Sequence, residues 1–129
     1  MIELTRAEEQ ILYLLWQLGE GTVQDVIALI DKEKKPSRTT VSTVIRILES
    51  KKAVGHKPCG KRKYIYYPIL TKEDYSRHQL FRFVQRYFNN SFSSLTSFFA
   101  KESNMSLEEL EVLLEEAKQD LKDTTQNPK

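Results

Sequence analysis

Five side chains set the chemistry this sequence offers. Thr39, Ser42, Thr43 and Arg46 recur at i, i+3, i+4 and i+7, which puts them on one side of a helix, and Arg38 falls in its first turn. Guanidinium and hydroxyl groups in the N-terminal half of a helix can bond phosphate oxygens or base edges in a DNA major groove, and a helix N-terminus itself favours anions. Arg38 and Arg46 can each pair bidentately with guanine or sit on a phosphate. The opposite side of the same helix carries Val41, Val44, Ile45 and Leu48 at the same spacing, so the polar side is left for solvent or a partner. A polar side is common to amphipathic surface helices, so the surroundings have to separate a solvated face from a binding face.

Those surroundings are basic. Residues 32 to 63 hold eleven cations, Lys32, Lys34, Lys35, Arg38, Arg46, Lys51, Lys52, Lys57, Lys61, Arg62 and Lys63, against Glu33 and Glu49, a local charge of +9. Residues 102 to 123 hold eight acids against Lys118 and Lys122, a local charge of −6. The net charge of +2 over 129 residues hides this separation of a basic middle from an acidic end. No carboxylate falls between Arg38 and Leu48. A basic block of this density around a polar helix face is the footprint expected of a polyanion partner, with Lys57, Lys61, Arg62 and Lys63 holding phosphates.

Catalytic chemistry is poorly supplied. Cys59 is the single cysteine, which excludes an internal disulfide and a multi-cysteine metal site, and His56 and His78 are the only histidines. The chain has no Gly-rich phosphate loop, no His-Glu-x-x-His and no Gly-x-Ser-x-Gly. His56, beside Lys57, reads as a DNA-backbone or packing residue and His78 as a residue of a solvated helix face. No enzyme activity, metal or cofactor is expected. Cys59 reads as a passive turn residue, although its basic neighbours leave a redox-responsive thiol open.

The elements that must position these residues can be read from periodicity. Thr5-Arg6-Ala7-Glu8 is a capping box before Ile11, Leu14, Leu15 and Leu18, with Gly19 and Gly21 as a stop. Thr22 opens a second helix with the stripe Val23, Val26, Ile27 and Ile30. A polar connection over Lys32 to Pro36 leads to a third helix over 38–52. Strand runs at Ala53 to Lys57 and Tyr64 to Ile69 flank the turn Pro58-Cys59-Gly60-Lys61-Arg62, with Ile65, Tyr67 and Ile69 on one face and Tyr64 and Tyr66 on the other. Three short helices closed by a basic-tipped hairpin make a winged helix-turn-helix, assigned to 1–70.

Residues 71–123 read as a helical dimerisation region, so the fold class is mainly α with a small β-hairpin. After the cap at Thr71, Leu80, Phe83, Val84, Tyr87 and Phe88 share a helical face. Asn89-Asn90-Ser91 interrupts it before Phe92, Leu95, Phe98 and Phe99. Ser106-Leu107-Glu108-Glu109 caps a last helix with Leu107, Leu110, Leu114, Ala117 and Leu121 in one stripe. Residues 64 to 99 hold eleven of the thirteen aromatics, more than a pair of short helices can bury against themselves, and a second copy is the natural sink. A two-fold dimer would set two recognition helices on successive major grooves and predicts a palindromic operator. The polar residues 124–129 read as a disordered tail. No apolar run approaches the roughly 18 residues of a membrane helix, and Met1-Ile2-Glu3-Leu4 lacks the pattern of a secretory signal. The cytoplasm is the expected location.

In this order of elements the chain resembles the penicillinase repressor (BlaI/MecI) family from Leu4 to about Leu121. The resemblance rests on Leu4-Thr5-Arg6-Ala7-Glu8 leading to Leu15-Trp16, on Thr39-Thr40-Val41-Ser42-Thr43 with Arg46-Ile47-Leu48, and on Val54-Gly55-His56-Lys57. Gly60-Lys61 before Tyr66-Tyr67-Pro68, Ser91-Phe92-Ser93-Ser94-Leu95 and the closing acidic helix add to it. It implies a homodimeric repressor that occupies a promoter on double-stranded DNA, in some members controls antibiotic resistance, and is released when a membrane-bound sensor protease triggers cleavage in the C-terminal region. The family's cleaved bond is Asn-Phe, and the matching position here is Phe98-Phe99. Copper-responsive relatives carry paired Cys-x-Cys motifs, which this chain lacks. Relief by a small-molecule or redox signal, and a winged domain used only for protein contact, are the alternatives the residues leave open.

Overall fold

The computed structural model describes residues 3–30, 33 and 36–126. Among these the order is α1 (Arg6–Leu18), α2 (Val23–Ala28), α3 (Arg38–Ser50), β1 (Val54–Pro58), β2 (Tyr64–Pro68), α4 (Lys72–Phe88), α5 (Phe92–Glu102) and α6 (Leu107–Gln126). The chain forms two compact units, Met1–His78 and Gln79–Lys129, so the division falls inside α4 rather than at residue 70.

Local chemistry sets the helix ends of the first unit. The Thr5 hydroxyl accepts from the Glu8 N–H at 3.2 Å while the Glu8 carboxylate accepts from the Thr5 N–H at 3.4 Å, satisfying two orphan donors of α1. Gly19, at φ 82, ends it by donating its N–H to the Leu15 carbonyl at 2.8 Å. Thr22 and Asp25 build a second capping box for α2, and the Ser37 hydroxyl accepts from the Thr40 N–H at 3.1 Å to open α3. α3 ends at Ser50, short of residue 52, because Lys52 at φ 64 turns the chain towards β1.

The core of this unit joins Ile11, Leu12 and Leu15 of α1 to Val23, Val26 and Ile27 of α2, Val41, Ile45 and Leu48 of α3, and Ala53 and Val54. Leu12 is fully buried, whereas Leu14 and Leu18 of the expected stripe pack only partly against the core. The hairpin pairs Gly55 with Tyr67 and His56 with Tyr66. Gly21 exchanges both backbone bonds with Tyr66, at 2.9 and 2.8 Å, which fastens the α1–α2 connection to the wing. Tyr66 and Leu70 pack on the core, while Ile69 is exposed: the Ile69 and Leu70 N–H groups both donate to the Ala53 carbonyl, which ends the alternation after Pro68.

Polar ties brace the frame. Trp16 Nε1 donates to the Leu70 carbonyl at 2.8 Å, and the buried Tyr75 donates its hydroxyl to Glu9 at 2.6 Å. Lys51, just past α3, donates to the Glu3 carbonyl at 2.8 Å and pairs with the buried Glu8. Burial alone would raise the Glu8 carboxyl, but hydrogen bonds from Lys51 and Thr5 and the lysine charge outweigh it and hold the group below its ordinary range. His78, expected on a solvated face, is half-buried, and its Nε2 is buried with no hydrogen-bond partner.

In the second unit Asn89 and Asn90 both take the left-handed conformation, at φ 49 and 64, which asparagine tolerates and which separates α4 from α5. Val84 is buried, no residue of α5 is, and every residue of α6 from Glu111 to Asp123 is exposed. α6 runs to Gln126, so residues 124–126 are helical rather than part of a disordered tail; residues 127–129 lie outside the described residues.

Candidate nucleic-acid interface

The polar side of α3 and the wing face one another across a cleft of about 600 Å³. α3 lines it with Arg38, Ser42, Arg46 and Glu49; the wing contributes His56, Arg62, Lys63, Tyr64 and Tyr66; and Thr22, Val23 and Gln24 close it from the start of α2. The arginines are exposed and Ser42 is half-buried. The wing turn owes its shape to Gly60 at φ 130 and Arg62 at φ 58, closed by the Cys59 N–H donating to the Lys63 carbonyl at 3.0 Å. Burial, and then the Glu49 carboxylate, push the Tyr66 phenol above its ordinary value; Arg46 opposes them and Tyr64 adds to the rise. The phenol is therefore a neutral O–H at physiological pH, able to donate to an anion.

Of the nine candidate contact residues, the cleft brings together Arg38, Ser42, Arg46, Arg62 and Lys63. Thr39 and Thr43 sit on the outer side of α3, where the Thr43 hydroxyl donates to the Thr39 carbonyl at 2.9 Å and is partly spent. Lys61 is exposed at the wing tip, outside the cleft lining. Lys57 is tied to Glu20 at 3.1 Å, and Lys51 to Glu8, so these two of the eleven cations carry internal partners. Lys32, Lys34 and Lys35 lie outside the described residues.

Glu49, Tyr64 and Tyr66 lie outside the expected contacts, whereas His56 is expected as a DNA-backbone or packing residue. For Glu49 a signal was present in the sequence, whereas the neighbours of His56 appear only in the fold. Glu49 follows Ser42 by seven and Arg46 by three residues, which puts it on the same helical flank. The hairpin register sets His56 directly across from Tyr66.

The second unit presents a different surface. Leu80, Phe83, Tyr87, Phe92 and Leu114 are exposed, with Tyr87 64% accessible. Phe88, Leu95 and Leu110 are half-buried, and Val84 is only 1% accessible, so it does not lie on an open face. Ring pairs Phe81–Phe92, Phe83–Tyr87, Phe83–Phe88 and Phe88–Phe98, with centroids 5.1 to 5.7 Å apart, knit the aromatics together. Phe81, Val112 and Leu113 are exposed too, outside the stripes that periodicity selected. Phe98 and Phe99 are exposed within α5. Among the described residues no helix is long and apolar enough to cross a membrane, and no group of side chains is arranged to hold a metal ion.

Two short helices, α2 and α3, stacked on α1, with an antiparallel hairpin beside the second of them, define a winged helix-turn-helix. The sequence profile of the penicillinase repressor family matches residues 4–119, and the chain belongs to that family. It is 27% identical over 111 residues to the penicillinase repressor of Bacillus licheniformis, covering 86% of each chain. It is 24% identical to the methicillin resistance regulatory protein MecI of Staphylococcus aureus (strain N315), covering 86% of this chain and 89% of that one. The solution structure of the DNA-binding domain of the repressor BlaI superimposes with a TM-score of 0.50 at 25% identity, covering 57% of this chain and 88% of that one.

Proposed function

We propose that this chain is a DNA-binding transcriptional repressor that works as a homodimer on a palindromic operator, with α3 in the major groove and the wing on the flanking phosphates. The observation that carries the reading is the cleft, which gathers Arg38, Ser42, Arg46, Arg62 and Lys63 on one side of a winged helix-turn-helix. Arg46, near the middle of α3, reads a base or locks register; Arg38 caps the approach at the first turn; Lys61, Arg62 and Lys63 hold phosphates. Thr39 and Thr43 contribute hydroxyls from the outer side of the helix, and Lys57 contributes least because Glu20 already answers its charge. In this role the chain has no catalytic task. Its place of action is the cytoplasm, where a bacterial promoter lies.

The exposed apolar surface of the second unit, built on Leu80, Phe83, Tyr87, Phe92 and Leu114, is the surface a second copy would cover. Phe88, Leu95 and Leu110, half-buried, would add to it, whereas the buried Val84 offers a second copy little. Relief follows the family's route, with a membrane sensor protease leading to cleavage at Phe98-Phe99. That bond lies within α5, so cutting it requires local unwinding of the helix.

The test is selection of bound sequences from a random duplex pool by the pure protein at two salt concentrations. Recovery of a palindrome with affinity falling steeply as salt rises supports a dimeric repressor. Enrichment of nothing at low salt overturns the reading and assigns the basic cleft to a protein partner.

A further inference from the structure

Glu49 is the one carboxylate among the described residues lining a cleft that otherwise carries Arg38, Arg46, Arg62 and Lys63. Left alone it would repel a polyanion at the point where the cations attract one. It is not alone: His56 Nδ1 meets Glu49 Oε2, joining β1 to the last turn of α3. Tyr64 and Tyr66 flank the imidazole from β2, with ring centroids 5.0 and 5.9 Å away. The two side chains remain 43% and 31% accessible, so solvent and ligand both reach them.

The hydrogen-bonding roles follow from the groups. A carboxylate can only accept, so Nδ1 carries the proton that lies between them. Nε2 then holds a second N–H only in the imidazolium; in the neutral ring it presents a lone pair. The pair is thus a net negative charge with an acceptor when the ring is neutral, and net neutral with a donor when the ring is protonated.

We propose that the Glu49–His56 pair belongs to the DNA site and couples binding to a proton, a duplex in the cleft selecting the imidazolium and disfavouring the neutral ring. This inference rests on the DNA-binding reading above. Phosphates approaching the cleft meet a cancelled charge and an Nε2–H in the first state, and an uncompensated carboxylate and a lone pair in the second. The other ionisable groups facing the pair are Arg38 and Arg46 from α3 and Arg62, Lys63, Tyr64 and Tyr66 from the wing, while Thr22, Val23 and Gln24 of α2 bring none. Arginine, lysine and tyrosine do not ordinarily change charge between about pH 6 and 8, whereas imidazole does. Uptake of one proton on binding tightens affinity by up to about tenfold for each unit the pH falls.

The experiment is an anisotropy titration of the full chain against a labelled duplex of mixed sequence, about three helical turns long, at constant low ionic strength between about pH 6 and 8. Wild-type affinity should fall about three- to tenfold over that range. His56→Gln should bind with nearly the same affinity throughout, close to the wild-type value at the high-pH end. Glu49→Gln should bind more tightly than wild type at the high-pH end, a result that holds even if His56→Gln fails to fold. A part that merely braces the wing would shift affinity equally at every pH. A flat wild-type profile, or a slope that survives His56→Gln, overturns the proposal while leaving DNA binding intact. Wild-type protein that binds no duplex at any pH overturns the DNA-binding reading, and this inference with it.

Discussion

Replacing Lys51 by Met would remove one charge and keep most of the side chain's apolar stem, leaving the buried Glu8 carboxylate without its cation. Breaking a fully buried ion pair by taking one partner away costs about 3–5 kcal/mol. The Lys51 side chain is 33% accessible, so solvent screens part of that loss, and about 1–3 kcal/mol is the expected deficit at neutral pH. A carboxyl held below its ordinary value of 4.5 contributes stability above that value and loses it as pH falls through the lowered value. The gap between wild type and Lys51→Met should therefore be full at neutral pH, shrink as the pH falls through the carboxylate range and close once it passes below the lowered value. Urea unfolding followed by the fluorescence of Trp16, the single tryptophan, reports on the first unit, where its indole bonds to Leu70. With a slope of about 1–3 kcal/mol per molar urea, a deficit near 2 kcal/mol moves the midpoint by about 1 M. No shift at neutral pH, or an equal shift at neutral pH and below the lowered value, would refute the assignment of Lys51 as the partner that keeps Glu8 ionised.

Arg46→Ala should cost about 1–3 kcal/mol on a selected duplex and much less on random DNA, whereas Lys61→Ala should weaken both alike and lower the salt slope by about one; equal losses for both variants on both DNAs would reject that division. Leu114→Asp, on an exposed position of α6, should give monomers in sedimentation with the helical content unchanged, and an intact dimer would remove α6 from the interface. Ser37→Ala should lower stability by about 0.5–2 kcal/mol through loss of the α3 cap, read from chemical denaturation.

The fold was legible because its signals are local. The capping residues Thr5, Thr22 and Ser37 each sit where α1, α2 and α3 begin, and the α3 residues Val41, Ile45 and Leu48 are buried as their spacing requires. What the periodicity missed needs long-range contacts. Leu12 is buried in a core where α2, α3 and β2 all pack on α1, and Ile69 is exposed because Ala53 captures two successive N–H groups after β2. In the site, the arginines of α3 were legible as charge at helical spacing. The Glu49–His56 pair was not, since only the folded wing brings residues seven apart in sequence but on different elements together. The pairing of Lys57 with Glu20 was hidden for the same reason, a charge count being blind to partners.

A charge-matched comparison of variants asks whether the α3–wing cleft is the DNA surface. Arg38→Ala combined with Arg46→Ala removes two cations from the cleft, and Lys118→Ala combined with Lys122→Ala removes two from α6. At one salt concentration and with unchanged circular dichroism, the first variant should lose duplex binding by about thirtyfold or more, while the second stays within about threefold of wild type. Equal losses for the two would mean that net charge alone drives binding; full binding by the first would place the DNA surface elsewhere.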